Sequence, residues 1–408
     1  MTPFLQLALA LALIITAAKS VGYLSFRMGQ PVVLGELLVG VILGPSVLNL
    51  LGASYFSDQH LPEVIHDMAE MGVLLLMFLA GLELHLSDLL HSGKVAALAG
   101  TLGVILPLAL GTLTGILFVM GIQPAVFIGL ILSATSVSIS AQTLMELKVL
   151  RSRVGVGLLG AAVFDDILVL LILSIFTALT QPASGGFVAI VWIILKMVLF
   201  LGAASVFGWW AFPKLNRWIG SLPVSQGLIA FTFVTLLLYG WLAETIGQMA
   251  AITGAFLAGL WFSRTAEKEH IRSGINTIAY GIFVPVFFID IGLSANARQL
   301  NWESGLLLVA LALVAVIGKV FGSGAGALLG GFTRREAIQL GAGMISRGEV
   351  GLIVASIGVN QGLIQADIFS AVVGVVILTT ILPPPLLKAL FPKPGRAPVK
   401  GKRTLEGV

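Results

Sequence analysis

The chain has no cysteine in 408 residues, which excludes disulfides and thiolate metal sites. Charge is scarce as well: only 10% of residues are Asp, Glu, Lys or Arg, against 58% hydrophobic. A soluble chain of this length has too little polar surface to cover that much apolar area, and the mean hydropathy of +1.05 agrees. The solvent for most of the surface is therefore lipid. The first apolar stretch lacks a basic leader segment and a clear small-residue cleavage site, so it reads as a helix and not as a signal peptide.

The apolar runs are continuous and do not alternate, which excludes a transmembrane β-barrel. A spanning helix needs about 20 apolar residues. On that criterion the sequence predicts thirteen, near 4–26, 32–48, 67–86, 95–119, 124–145, 154–179, 187–211, 224–244, 248–263, 273–293, 304–330, 335–357 and 366–390. Basic residues test the count. With the N-terminus outside, the inner loops and the tail hold eighteen of the 23 Lys and Arg, and the outer loops hold Arg298 alone. The positive-inside rule then gives an N-out, C-in chain with an odd number of crossings.

The chain also repeats itself. Gly35 and Gly40 recur as Gly254 and Gly259, a shift of 219. Gly81 in Phe78-Leu-Ala-Gly-Leu matches Gly292 in Phe287-Phe-Ile-Asp-Ile-Gly-Leu, a shift of 211. Ala125 with Gly129 matches Ala337 with Gly341, a shift of 212. The second helix thus maps onto the ninth, seven crossings later, so the copies have opposite orientation. Inverted repeats are a mark of secondary transporters with a central site at the repeat interface. The expected organisation is repeat one over 4–179, a linker helix 187–211, repeat two over 224–390, and a basic cytoplasmic tail 391–408, within an all-α membrane domain 1–390.

Chemistry is expected where charge sits near mid-membrane. Asp165 and Asp166 lie side by side in the run Val154 to Leu179, Lys319 lies in the eleventh helix, and Arg347 and Glu349 in the twelfth. Ionisable groups at that depth mark ion or proton handling by default. Desolvation penalises a charged carboxylate, and a second carboxylate beside it adds to the penalty, so the pair demands a proton or a cation. Proton and cation then compete for one site, and the pair titrates as a unit. Thr135 and Ser136 fall in Ser133-Ala-Thr-Ser-Val-Ser-Ile-Ser140, a poor helix centre because hydroxyls compete for backbone groups. By the shift of 212, Thr135 and Ser136 correspond to Arg347 and Gly348, where two glycines flank the charges. Both helices are expected to be discontinuous and to line a cavity. Other readings stand beside these: the aspartates and Lys319 as a structural ion pair, Arg347 with Glu349 as a brace, Thr135 and Ser136 as helix caps. Glu36, Glu83, Glu244 and Asp290 fall near helix ends within reach of interfacial water. Lys19 and Lys196 are expected to snorkel or face lipid. The five histidines are expected at solvated ends, and the glycines of 318–331 to allow close helix packing.

Taken together, Gln30-Pro-Val-Val-Leu-Gly-Glu36 with Gly44-Pro45, Phe78-Leu-Ala-Gly-Leu-Glu83, Ala134-Thr-Ser136, Phe164-Asp-Asp-Ile167, Lys319 and Arg347-Gly-Glu-Val-Gly-Leu352 resemble the monovalent cation:proton antiporter-2 family over nearly the whole chain. The resemblance implies the sodium/proton antiporter fold with two crossed discontinuous helices beside the aspartates, and a homodimer in the bacterial cytoplasmic membrane. It implies Asp166 as the main ion and proton ligand and Asp165 as the partner of Lys319. The Asp-Asp pair implies electrogenic sodium/proton exchange, with potassium/proton exchange as the near alternative. Transported Na+ or K+ and H+ are the only small partners expected, with no cofactor, no nucleic acid and no enzymatic activity. A gated cation channel is the rival from another class; it calls for a continuous lined path rather than one carboxylate pair with a lysine. Family members often carry a cytoplasmic nucleotide-binding regulatory domain after the last helix, where this chain has its basic tail.

Overall fold

The computed structural model describes residues 1–84, 92–180, 186–293, 298, 302–348, 351, 354–355, 358 and 362–391, and among these there is no strand. The helices are α1 Pro3–Arg27, α2 Val32–Leu43, α3 Leu61–Glu83, α4 Gly93–Leu117, α5 Ile122–Ser133, α6 Val137–Glu146, α7 Arg153–Thr180 and α8 Gly186–Gly220. They continue as α9 Gly227–Thr245, α10 Ala251–Phe262, α11 Lys268–Leu293 with a π turn at Ala279–Phe283, α12 Trp302–Leu329, α13 Arg334–Gly343, α14 Ala366–Ile381 and α15 Pro383–Leu390. Among the described residues, ten segments are long and apolar enough to cross a membrane, taking α5 with α6 and α14 with α15 as one each. α2 and α10 are apolar but only 12 residues long, shorter than the 32–48 and 248–263 read from sequence. The expected linker 187–211 is longer, reaching Gly220.

The helices pack as two groups. α1, α2, α3, α9, α10 and α11 form one, here the scaffold; α4, α5, α7, α12, α13 and α14 form the other, the core. α6 touches α2 and α3 of the scaffold as well as α7 and α15, while α8 lies against α7, α9 and α10.

Small residues explain the scaffold. A Cβ on Gly35 would meet Val21 O of α1 at 2.6 Å, and one on Gly40 would meet Ile289 O of α11 at 2.6 Å. On α10, Gly254 abuts the carbonyl of Tyr239 in α9, and Gly259 that of Phe78 in α3. Gly81 of α3 returns the contact to Phe256 O of α10, as Gly292 of α11 does to Gly40 of α2. Each repeated glycine is thus a backbone-to-backbone contact, and each short helix is clamped between two longer ones in the same way. Close approach through small residues is how membrane helices associate, since lipid supplies no hydrophobic drive between them. The glycine run of α12 acts similarly: Gly318 packs on Pro107, and Gly322 and Gly326 on the carbonyls of Leu102 and Leu98, all in α4.

Burial ranks the elements by place. In the most apolar window of Ile122–Glu146, 78% of residues are buried inside the protein; in that of Val191–Gly220 only 17% are. The α5–α6 segment is therefore central, and α8 presents most of its apolar surface outward.

Candidate ion-binding site

α5 stops at Ser133 and α6 begins at Val137. The three residues between are extended at Ala134 (φ −59°, ψ 137°) and Ser136 (φ −100°, ψ 114°). The hydroxyls sustain the break: Ser133 Oγ donates to Gly129 O at 2.9 Å, and Ser136 Oγ lies 2.9 Å from Ser138 Oγ. α13 ends at Gly343, and the chain continues without helix through Gly348. The two breaks touch: Ser136 N donates to Ser346 O at 2.9 Å, and a Cβ on Gly348 would sit 2.6 Å from Ser136 Cβ. The crossing thus needs glycine at 348 for want of space. Ser140 Oγ donates to Gly343 O across it at 2.5 Å.

Broken helices leave carbonyls and N–H groups without helical partners in a place that water does not reach. Arg347, 1% exposed, answers part of this. Its guanidinium donates to Ile345 O at 3.0 Å and Met344 O at 3.3 Å, just past the C-terminus of α13, where a cation also suits the helix dipole. Thr380 of α14 donates its hydroxyl to Arg347 O at 2.5 Å. Glu349, expected to pair with Arg347, lies outside the described residues, as do His85 and His91.

The two aspartates face different neighbours. Asp165 turns into the core: Lys319 Nζ of α12 is 2.7 Å from its Oδ2, and Thr135 donates its hydroxyl to the same oxygen. Asp165 and Lys319 are both fully buried. Asp166, 7% exposed, lines a small cavity with Val137 of α6, Val163 of α7, Met77 of α3, and Ile252, Thr253 and Phe256 of α10. It therefore lies on the boundary between core and scaffold. Consecutive helix positions differ by about 100° around the axis, so adjacency in sequence does not make a common pocket. Thr253 was not singled out from sequence. It is buried in the first turn of α10, and its hydroxyl finds no hydrogen-bond partner among the described residues. Its only signal was its place next to the repeated Gly254.

A larger cavity of about 580 Å³ opens one to three turns further along α6, lined by Glu83, Gln142, Glu146, Arg151, Arg272 and Tyr280 among others. It lies on the face that carries the basic loop residues Lys148 and Arg151. Glu83 bridges its rim, with Arg151 at 2.6 Å and Arg272 at 3.1 Å. Two sequence expectations need correction here. Glu36 is 4% exposed inside the helix packing rather than open to interfacial water, because α2 is enclosed between α1 and α11. Lys19 does not simply face lipid: its Nζ reaches Glu36 Oε1 at 3.5 Å while about half the side chain stays exposed. At the opposite end of α3, His66 joins Asp290 of α11 at 2.8 Å.

Comparison with known proteins gives a consistent result. Residues 9–392 match the family described as "Sodium/hydrogen exchanger, transmembrane". The chain is similar to the Na(+)/H(+)-K(+) antiporter GerN of Bacillus cereus, at 40% identity over 93% of this chain and 95% of that one. It is similar to the Na(+)/H(+) antiporter of Enterococcus hirae, at 36% identity over 93% and 96%. Among solved structures, the sodium proton antiporter MjNhaP1 from Methanocaldococcus jannaschii superposes with a TM-score of 0.67, covering 95% of this chain and 96% of that one; at 16% identity this likeness speaks to the fold. The chain belongs to the transmembrane sodium/hydrogen exchanger family, whose members are antiporters and not enzymes.

Proposed function

We propose that this protein exchanges sodium for protons across the bacterial cytoplasmic membrane by alternating access, with Asp166 as the carboxylate that takes proton and cation in turn. The observation that carries this reading is the placement of Asp166. It alone of the two aspartates borders the scaffold, in a cavity beside the broken helix, while Asp165 points into the core toward Lys319 and Thr135. A carboxylate at that boundary passes from one side of the membrane to the other when the core moves against the scaffold, which is what alternating access requires. Val137 at the N-terminus of α6 and the hydroxyl of Thr253 supply a positive helix end and an oxygen next to it. Lys319 compensates Asp165 in the cation-free protein. When a bound cation compensates Asp165 as well as Asp166, Lys319 gives up its proton together with the one leaving Asp166, so two protons are exchanged per cation and transport is electrogenic.

The relative named as a Na(+)/H(+)-K(+) antiporter favours potassium as a second transported cation. The reading includes thirteen crossings with the N-terminus outside, obtained by adding α2, α10 and the α13 segment to the ten long spans. It includes two inverted repeats, over about 4–179 and 224–390, supported by the matched clamps around α2 and α10. It also includes a homodimer, for which α8 offers the most exposed apolar surface. A gated channel is disfavoured because members of the family are antiporters. Proteoliposome exchange compared for sodium, potassium and lithium over pH, with wild type and Asp166→Asn, tests the proposal. Cation-driven proton movement that vanishes in the variant supports it; passive cation flux indifferent to a proton gradient overturns it.

A further inference from the structure

The Gln30-Pro-Val-Val opening of α2 plays no part in the ion site. α2 begins at Val32 with Pro31 in the capping position, and the proline makes no side-chain cap. The first N–H groups of a helix need acceptors, and where packing keeps water from them the protein must supply those acceptors. Here they are supplied by a residue 114 positions away. Glu146 Oε2 accepts from Val32 N at 2.7 Å and Oε1 from Val33 N at 3.3 Å.

Glu146 is the last residue of α6, the helix that starts at the Ser136 crossing. One turn earlier, Gln142 donates Nε2 to Glu146 Oε1 at 2.9 Å and accepts from Tyr280 Oη at 2.6 Å. Tyr280 stands on the π turn of α11, a distortion often found where a helix is adapted to function. Tyr280, Gln142 and Glu146 thus form a chain of polar contacts from α11 through α6 to α2, along the wall of the 580 Å³ cavity. A carboxylate at a helix N-terminus satisfies its N–H groups and its dipole together, and is stronger than a neutral acceptor.

We propose that Glu146 is a positioning residue for transport: a detachable cap that holds α6, and with it the Ser136 crossing, against α2 while the cavity is open to the basic face, and that comes off when the core moves. The inference rests on the alternating-access reading. It follows from where the bonds lie, since a rigid movement of α6 past α2 cannot preserve them. The charged and titratable groups around Glu146 are Lys19 of α1, Glu36 of α2, Glu83 of α3, Tyr280 and Arg272 of α11, and Lys148 and Arg151 just beyond α6.

The cysteine-free chain makes the test direct. Asn276 lines the same cavity from α11, so Asn276→Cys puts a single thiol on its wall. The rate of labelling by a hydrophilic maleimide on the purified protein then reports how often the cavity is open. Adding Glu146→Gln replaces the charged cap by a neutral one and is expected to slow labelling by roughly fivefold. It should also remove any part of the pH dependence of labelling that Glu146 contributes. Glu146→Asp, which keeps the charge on a shorter arm, should recover part of the rate. Sodium/proton exchange is measured on the same preparations: its absence from the Asn276→Cys parent would fail the transport reading itself. Exchange in the parent with an unchanged labelling rate and pH profile in Glu146→Gln would overturn only the detachable cap. If Glu146→Gln does not fold, Glu146→Asp decides. Parent-like labelling with a lower melting temperature would mean a permanent structural cap and overturn the proposal; slowed labelling would support it.

Discussion

At the scale of single residues, two adjacent carboxylates sit in different surroundings. Asp165 is held by Lys319 and Thr135 in a fully buried place, and Asp166 borders the contact between core and scaffold. Two different consequences of substitution follow. Asp166→Asn keeps the shape and removes a buried charge, so the protein is expected to fold with an unchanged or higher melting temperature. Its exchange activity should be abolished; wild-type rates in liposomes would end the assignment of Asp166 as ligand. Lys319→Gln does the reverse. It leaves Asp165 buried without its cation, a loss of about 3–5 kcal/mol while that aspartate stays ionised. Protonation of Asp165 removes the stranded charge, so the stability deficit should shrink as pH falls. Melting curves of the lysine variant that superpose on wild type at every pH would show that the 2.7 Å ion pair does not contribute to stability.

At the scale of elements, two devices build the molecule: short helices clamped through glycine, and helices broken so that their ends meet. The first predicts a contrast. Gly40→Ala would put a methyl 2.6 Å from Ile289 O and 2.9 Å from its Cα, with no flexible side chain to yield. Overpacking of that kind costs about 1–3 kcal/mol, so a lower melting temperature is expected. Gly202→Ala in α8 meets nothing within 4 Å and should be neutral or gain up to about 1 kcal/mol from helix propensity. Equal melting temperatures for the two variants would refute the clamp. These glycines were legible in the sequence because both copies solve the same packing problem with the same residue, which leaves a spacing one can see. The break at Ala134 to Ser136 was legible for a related reason: a cluster of hydroxyls at the centre of a membrane-spanning segment competes for its backbone groups. The facing of Asp165 and Asp166 was a different matter. Adjacent side chains diverge by about 100°, so the residues alone do not say which one meets Lys319; the family resemblance pointed to Asp165, and the neighbouring helices place it there, with Asp166 beside Thr253. Thr253, a single hydroxyl in an apolar helix, carries no pattern of its own, and Glu146 reaches α2 across 114 positions that no local spacing connects.

At the scale of the whole molecule, the fold places Asp166 at the boundary of two helix groups, and the proposed exchange requires those groups to move against each other. On the proposed reading transport rests on competition rather than on a pathway, and competition has a thermodynamic signature that needs no membrane. If proton and cation share the aspartate site, each must weaken the other by the same factor, because binding free energies are reciprocal. Apparent cation affinity is therefore expected to fall as pH drops, by up to about tenfold per pH unit for each proton displaced. The sign follows from mass action: lower pH fills the carboxylate with a proton, and the cation must expel it. Conversely, adding sodium at fixed pH to the detergent-solubilised protein should release protons into a weakly buffered medium, with no gradient present. Lithium and potassium should do so in the order of their affinities, and Asp166→Asn should release none. The wild-type signal must also saturate with the same midpoint as cation binding measured by calorimetry. A cation affinity that stays flat over the pH range of exchange, with no protons released on binding, would mean that proton and cation travel by separate groups, and would refute the shared site at Asp166.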